Sequence, residues 1–179
     1  VPLLNYLSVS LTPSNPILHT SRLYSMFKYY TPGKKYDRNF LFYKEWSLEA
    51  AHLMISCDDE LQLLCREIPM NLDNVHSLKD YYESYTAEDM QRKISSLDAV
   101  RNLKSPMTEV EGGWIPDFNS RYFRTDFPYG INVIIKIADL FNVDTPTMDK
   151  IWNWYRDLVS NEETVDRDMS VNEFLKLYQ

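Results

Sequence analysis

Glycine is scarce in this chain, with four residues in 179 and no Gly-x-Gly-x-x-Gly or Gly-x-x-x-x-Gly-Lys run among them. The chain therefore has no phosphate-cradling loop of its own. A Gly-x-Ser-x-Gly elbow is also missing, which removes the strand–turn–helix nucleophile of Ser/His/Asp hydrolases. Cysteine is scarcer still: only Cys57 and Cys65 occur. Eight positions on one helix would set them about 12 Å apart, too far for a disulfide. Both are expected as reduced thiols in a reducing, cytoplasmic compartment, acting as small apolar helix residues. No apolar run approaches the roughly 20 residues of a membrane span. The opening lacks the basic, apolar and small-residue order of a secretory signal. An excess of basic charge is absent too. The net charge of −7 argues against a nucleic-acid partner and against an anionic membrane surface.

The remaining composition is that of a globular domain, 44% hydrophobic and 25% charged, long enough to bury a core. The chain starts at Val1 rather than methionine and opens directly on Pro-Leu-Leu-Asn-Tyr-Leu, as a piece of a longer protein would. Residues 3–11 alternate, with Leu3, Asn5, Leu7, Val9 and Leu11 on one face, and read as a short N-terminal strand ended by Pro13. Ser14 or Asn15 then caps a helix with Pro16 at its first position, carrying Ile17, Leu18, Leu23, Tyr24, Phe27 and Tyr30. Residues 34–45 are basic, aromatic and irregular. Ser47 starts a second helix over 48–68, with Ala50, Ala51, Met54, Ile55, Leu61, Leu64 and Ile68 inward and Pro69 at its end. Shorter helical patterns cover 77–85 and 86 to about 103, the second opened by Thr86 with Asp89 three residues on. Residues 131–141 are apolar nearly all round and read as the central buried helix. Thr145-Pro146 begins another, reaching about Val159, with Ile151, Trp152, Trp154, Tyr155 and Leu158. A capping box at Ser170–Glu173 opens a final short helix. The fold class expected is mainly α, a helical bundle with at most one short strand at the start.

The stretch 112–130, Gly-Gly-Trp-Ile-Pro-Asp-Phe-Asn-Ser-Arg-Tyr-Phe-Arg-Thr-Asp-Phe-Pro-Tyr-Gly, has no sustained period. It holds three of the four glycines and six aromatics. A long aromatic loop inside a compact domain is usually functional. Arg121 and Asp126 stand out in it, and the fold is expected to bring His19 to them. A buried carboxylate fixes a histidine tautomer and raises its basicity, and an arginine takes a substrate carboxylate in a fork. On the residues alone, Asp126 serves equally as a helix cap and Arg121 as a surface cation. His52 falls inside a helical pattern and His76 just before a cap, and no metal site is expected.

Two stretches change these odds. Asn-Pro-Ile-Leu-His-Thr-Ser-Arg-Leu-Tyr (15–24) and the whole of 112–130 resemble the C-terminal helical domain of octopine/nopaline-type opine dehydrogenases. Asn-x-x-x-His and Arg-Tyr-x-x-x-Asp-x-Pro, in this order, are the specific elements. The resemblance implies a bundle like the C-terminal domain of 6-phosphogluconate dehydrogenase. It also implies that residues 1–179 are a single substrate and catalytic domain, whose Rossmann partner, in cis or as a separate chain, is absent from this sequence. NAD or NADP would be held mainly by that Rossmann domain. The implied reaction is reductive condensation of an α-keto acid with an amino acid's amino group. His19 falls on the family's catalytic acid/base, Asp126 on its carboxylate partner, Arg121 on the arginine that holds a substrate carboxylate, and Asn15 on the asparagine four residues before the histidine. Many members carry Thr-Glu before the aspartate, where this chain has Arg124-Thr125. A homodimer is left open. The competing readings are a non-catalytic helical interaction or dimerisation module, or the helical half of another two-domain dehydrogenase of the ketopantoate-reductase kind.

Overall fold

The computed structural model of the protein describes residues 5–159 and 169–178. The opening stretch is not extended. Asn5 accepts a hydrogen bond from the Ser8 amide (3.0 Å) and caps a short helix, α1 (Tyr6–Ser10). Leu7 and Leu11 are fully buried while Val9 is 48% exposed, so the working period is four rather than two. Leu3, where the expected strand began, lies outside the described residues. Helix α2 (Ser14–Phe27) begins earlier than its cap signals suggest. Pro13 already holds helical angles (φ −80°, ψ −11°), and neither Ser14 nor Asn15 supplies a side-chain cap. Pro16 then falls where a helical amide has no partner to lose.

Ser47 caps α3 (Leu48–Glu67) as its sequence predicts, accepting from the Ala50 amide at 3.1 Å. This helix, rather than the apolar one near the C-terminal end, is the centre of the bundle: α2, α5 and α8 all pack on it. Cys57 is buried in it, and both cysteines are free thiols. A short α4 (Leu78–Tyr81) precedes α5 (Ala87–Ser95), which Thr86 caps through the Asp89 amide (3.1 Å). The expected continuation to 103 fails at Ser96, whose hydroxyl bonds the Lys93 carbonyl (2.8 Å) and competes for the helix's own acceptor.

The segment expected to be one long loop is largely structured. Strands β1 (Met107–Val110) and β2 (Gly113–Pro116) form an antiparallel hairpin in the register Met107–Pro116 to Val110–Gly113. Its turn needs Gly112 (φ +80°) and Gly113 (φ +146°). A Cβ on Gly113 would also stand 2.5 Å from the Tyr36 carbonyl oxygen. Tyr36 pairs with Trp114 in both directions (2.8 and 2.9 Å), so residues 34–45, though irregular, are pinned to the hairpin. Helix α6 (Arg121–Arg124) and a π-helix (Phe127–Ile131) follow, the latter closed by the Ile131 amide on the Asp126 carbonyl at 2.9 Å. It runs directly into α7 (Asn132–Leu140). Helix α8 (Pro146–Leu158) buries Trp152 and Tyr155 in the core, and Tyr155 stacks on Phe127 with centroids 4.3 Å apart. The capping box at Ser170 forms, with Glu173 accepting from the Ser170 amide (2.9 Å), and opens α9 (Val171–Tyr178). Among the described residues no helix is long and apolar enough to cross a membrane.

Candidate active site

The first turns of α2 and the π-helix approach closely, and glycine permits it. A Cβ on Gly130 would lie 3.1 Å from the Pro16 ring. This contact brings Asp126, the residue before the π-helix, alongside His19, one turn into α2. The His19 Nδ1 and the Asp126 Oδ2 are 2.8 Å apart across 107 positions of sequence. Both residues are buried, at 4% and 7% exposure. Asp126 makes no side-chain cap to the π-helix that follows it; its carboxylate is turned to the imidazole instead.

An ionised carboxylate is acceptor only, so Nδ1 carries the proton and donates it. Nε2 of the neutral ring is then an acceptor. Its partner is the Tyr43 hydroxyl, 3.0 Å away, which donates. Three aromatic rings enclose the imidazole edge-on: Tyr122 at 4.6 Å between centroids, Phe42 at 5.6 Å and Tyr43 at 6.4 Å. Burial beside Tyr122, Tyr82 and Asp126 pushes the Tyr43 phenol up to about 12, although Arg121 pulls the other way. The Tyr122 phenol is also raised, by burial first, and again Arg121 opposes. Arg121 is exposed at the first position of α6, and its side chain makes no hydrogen bond or ion pair among the described residues. Its charge is felt at both tyrosines. Asn15 is exposed in the first turn of α2, four residues before His19 and so on the same helix face. Its side chain is uncommitted among the described residues. Thus His19 and Asp126 touch, the Arg121 charge acts on two tyrosines of the same cluster, and Asn15 stands one turn away along α2.

Residues 42–46 form one wall of the His19 pocket, which sequence reading missed. Arg22, one turn after His19, is 4% exposed and forms no ion pair with a carboxylate among the described residues. Its Nε donates to the Phe42 carbonyl (3.0 Å), and its guanidinium lies 5.7 Å from the Trp46 ring centre. Burial lowers its pKa to about 10, with Glu45 partly compensating. Helix α2 therefore holds the histidine and, through Arg22, the backbone that carries Tyr43. The available signal was the clustering of aromatics in 34–46, which no spacing rule ties to His19.

Chemically, the arrangement is a buried imidazole backed by a carboxylate, with the Arg121 charge acting on the tyrosines around it. It can take up or release a proton while an anionic group is held nearby.

Residues 2–159 match the family model described as NAD/NADP octopine/nopaline dehydrogenase, alpha-helical domain. Tauropine dehydrogenase of Arabella iricolor is 29% identical over 171 residues, covering 89% of this chain and 43% of that protein. Octopine dehydrogenase of Pecten maximus is 29% identical over 145 residues, 75% of this chain and 36% of that one. Among solved structures, octopine dehydrogenase with NADH and pyruvate superposes with a TM-score of 0.76 at 26% identity, over 90% of this chain and 41% of that chain. The same enzyme with NADH and L-arginine gives 0.77 at 26% identity. The chain spans less than half the length of these relatives.

Proposed function

We propose, from the premise that this chain belongs to the octopine/nopaline dehydrogenase family through its α-helical domain, that it is the substrate-binding and catalytic half of an NAD(P)-dependent opine dehydrogenase. The observation that carries this reading is the buried 2.8 Å contact between His19 and Asp126. It favours the enzyme over a non-catalytic helical module, which has no use for a desolvated imidazole–carboxylate pair next to an uncommitted arginine.

In the proposed reaction the amino group of an amino acid adds to the carbonyl carbon of an α-keto acid. The resulting carbinolamine, protonated at oxygen, loses water to give an iminium, and hydride reduction of that gives the opine. Octopine dehydrogenase has been solved with NADH together with pyruvate or L-arginine, which supports this substrate class. The nicotinamide would supply the hydride. This chain has no dinucleotide-cradling glycine loop, so its residues suit the substrate rather than the cofactor's phosphates. The cofactor is assigned to a Rossmann domain, in cis or on a separate chain. His19 is the acid/base: it takes one proton from the substrate ammonium to free the attacking amine. A second N–H proton moves to the carbonyl oxygen as the carbinolamine forms, and His19 returns its proton to the departing hydroxyl. Asp126 holds the Nδ1–H tautomer and stabilises the imidazolium that forms. Arg121 takes a substrate carboxylate as a fork, and Asn15 contacts the substrate or cofactor side of the cleft.

The test uses the complete protein with its nucleotide-binding half. His19→Ala is expected to lower kcat on the order of 10²-fold or more, and Asp126→Asn to follow it with KM little changed. Near-normal turnover by both variants would remove the pair from the mechanism. The isolated chain is expected neither to turn over nor to bind NADH tightly; tight binding, measured by calorimetry, would contradict the division of labour.

A further inference from the structure

His19 has no open nitrogen. Asp126 occupies Nδ1, Tyr43 occupies Nε2, and three rings close the sides of an imidazole that is 4% exposed. A substrate can exchange a proton with this ring in one of two ways. Either Tyr43 swings clear and uncovers Nε2, or the proton passes through the Tyr43 oxygen. Tyr43 is itself only partly buried, and its hydroxyl is the group hydrogen-bonded to Nε2.

The surroundings of Tyr43 decide against swinging. The Phe42 amide donates to Leu103 (2.8 Å) and the Phe42 carbonyl accepts from Arg22 (3.0 Å). The Trp46 amide closes back on the Tyr43 carbonyl (3.1 Å), and the Trp46 carbonyl accepts from Gln91 (3.0 Å). Glu45 takes the Leu41 amide at 2.5 Å and both terminal nitrogens of Arg38 at 2.6 and 3.0 Å. The Tyr43 ring is stacked on Trp46 (6.3 Å, 19° between planes) and set edge-on to Phe42 (5.1 Å). Moving the hydroxyl off Nε2 breaks that stack and leaves the imidazole lone pair without a donor in an aromatic pocket.

We propose that Tyr43 is a catalytic residue, the relay through which His19 exchanges its proton with the substrate. The inference rests on His19 being the acid/base, as assigned above. In the acid direction the Tyr43 O–H bond breaks as its proton goes to the carbinolamine oxygen. In concert the His19 Nε2–H bond breaks and that proton goes to the Tyr43 oxygen. The carbon–oxygen bond of the carbinolamine then parts with its electron pair, releasing water. One proton has left the imidazolium, His19 is neutral, and Tyr43 is unchanged. The same path run backwards takes the first proton from the substrate ammonium to His19 through Tyr43, which frees the amine. On its attack a further N–H proton passes to the carbonyl oxygen to give the carbinolamine. Tyr43 never has to exist as a free phenolate, and its high pKa, set chiefly by burial, keeps it a donor at rest.

The experiment is made in the complete two-domain protein, by single-turnover kinetics so that product release does not mask the proton step. Tyr43→Phe is expected to lower the rate about 10²-fold with KM within about threefold. Replacing Tyr43 by tyrosines carrying increasing numbers of ring fluorines keeps the shape and changes only the acidity of the phenol. The rate should then shift progressively with that acidity, and a proton inventory in mixed H₂O/D₂O should bow as two protons in flight require. If fluorination leaves rate and inventory unchanged while Tyr43→Phe is slow, the residue only packs the site and the relay is overturned. If His19→Ala is crippled but Tyr43→Phe is normal, the relay is again wrong and the acid/base assignment survives. Normal rates for both would sink the functional reading itself.

Discussion

In the helices around α3, partners sit close together in sequence: Ser47 caps the amide three residues on, and Leu61 and Leu64 bury the same face of one turn. Around His19 the partners come from everywhere. Tyr43 lies 24 positions away and Asp126 107 positions away, the first on an irregular segment and the second at the mouth of a π-helix. One region is built from local period and the other from long-range meetings, and the difference divides labour. The helices supply a rigid frame whose stability comes from buried apolar area. The connecting segments supply chemistry, and they need outside anchors such as Arg22 and the Tyr36–Trp114 pairing to hold a fixed geometry.

That division can be broken by mutation on either side of it. Leu61 is fully buried in α3, so Leu61→Ala should cost roughly 2–5 kcal/mol in urea unfolding while kcat per folded molecule stays the same. A fall in kcat at full folding would show that frame and site are not separable. Asp58, also fully buried in α3, accepts from the Leu78 amide (2.8 Å), and burial raises its carboxyl from 3.8 to about 6. Between those values the unfolded chain has released this proton and the folded one keeps it. Stability should therefore fall as pH rises from about 4 to about 6, by up to ~3 kcal/mol from this group. Asp58→Asn should flatten that slope; an unaltered pH profile would discard the assignment.

On the site's side, Gly113→Ala forces a Cβ against the Tyr36 carbonyl at a φ of +146°. The expected cost is roughly 1–3 kcal/mol, read as faster hydrogen exchange at the Tyr36 and Trp114 amides with α3 unaffected. Exchange rising throughout α3 as well would mean the hairpin is part of the frame. The smallest effect is Ser47→Ala, which removes one cap and should cost about 1 kcal/mol with no change in activity.

The helix starts were legible in sequence wherever a side chain announced them: Ser47, Thr86 and Ser170 each bond the amide or side chain three residues on. Elements failed to be legible where two periods fit the same residues. Leu7 and Leu11 satisfy a strand and a helix equally, and the Asn5 cap decided for the helix. The hairpin over 107–116 is short, and its turn glycines were read as loop because their positive φ appears only once the chain closes on itself. Within the site, the aromatic loop 112–130 raised the expectation that His19 reaches Asp126, the resemblance gave the pair its roles, and the two side chains do meet. Tyr43 was missed because nothing local marks one tyrosine among thirteen.

The sequence by itself determined the helical class, the capped starts of α3, α5 and α9 and the absence of a phosphate loop, since those depend on residues within a turn or two of each other. The tertiary structure alone decided which groups face the two nitrogens of His19. Hydrogen-bond partners separated by 24 and 107 positions are selected by packing, and here a glycine letting the π-helix touch Pro16 and a buried arginine gripping the Phe42 carbonyl make that selection.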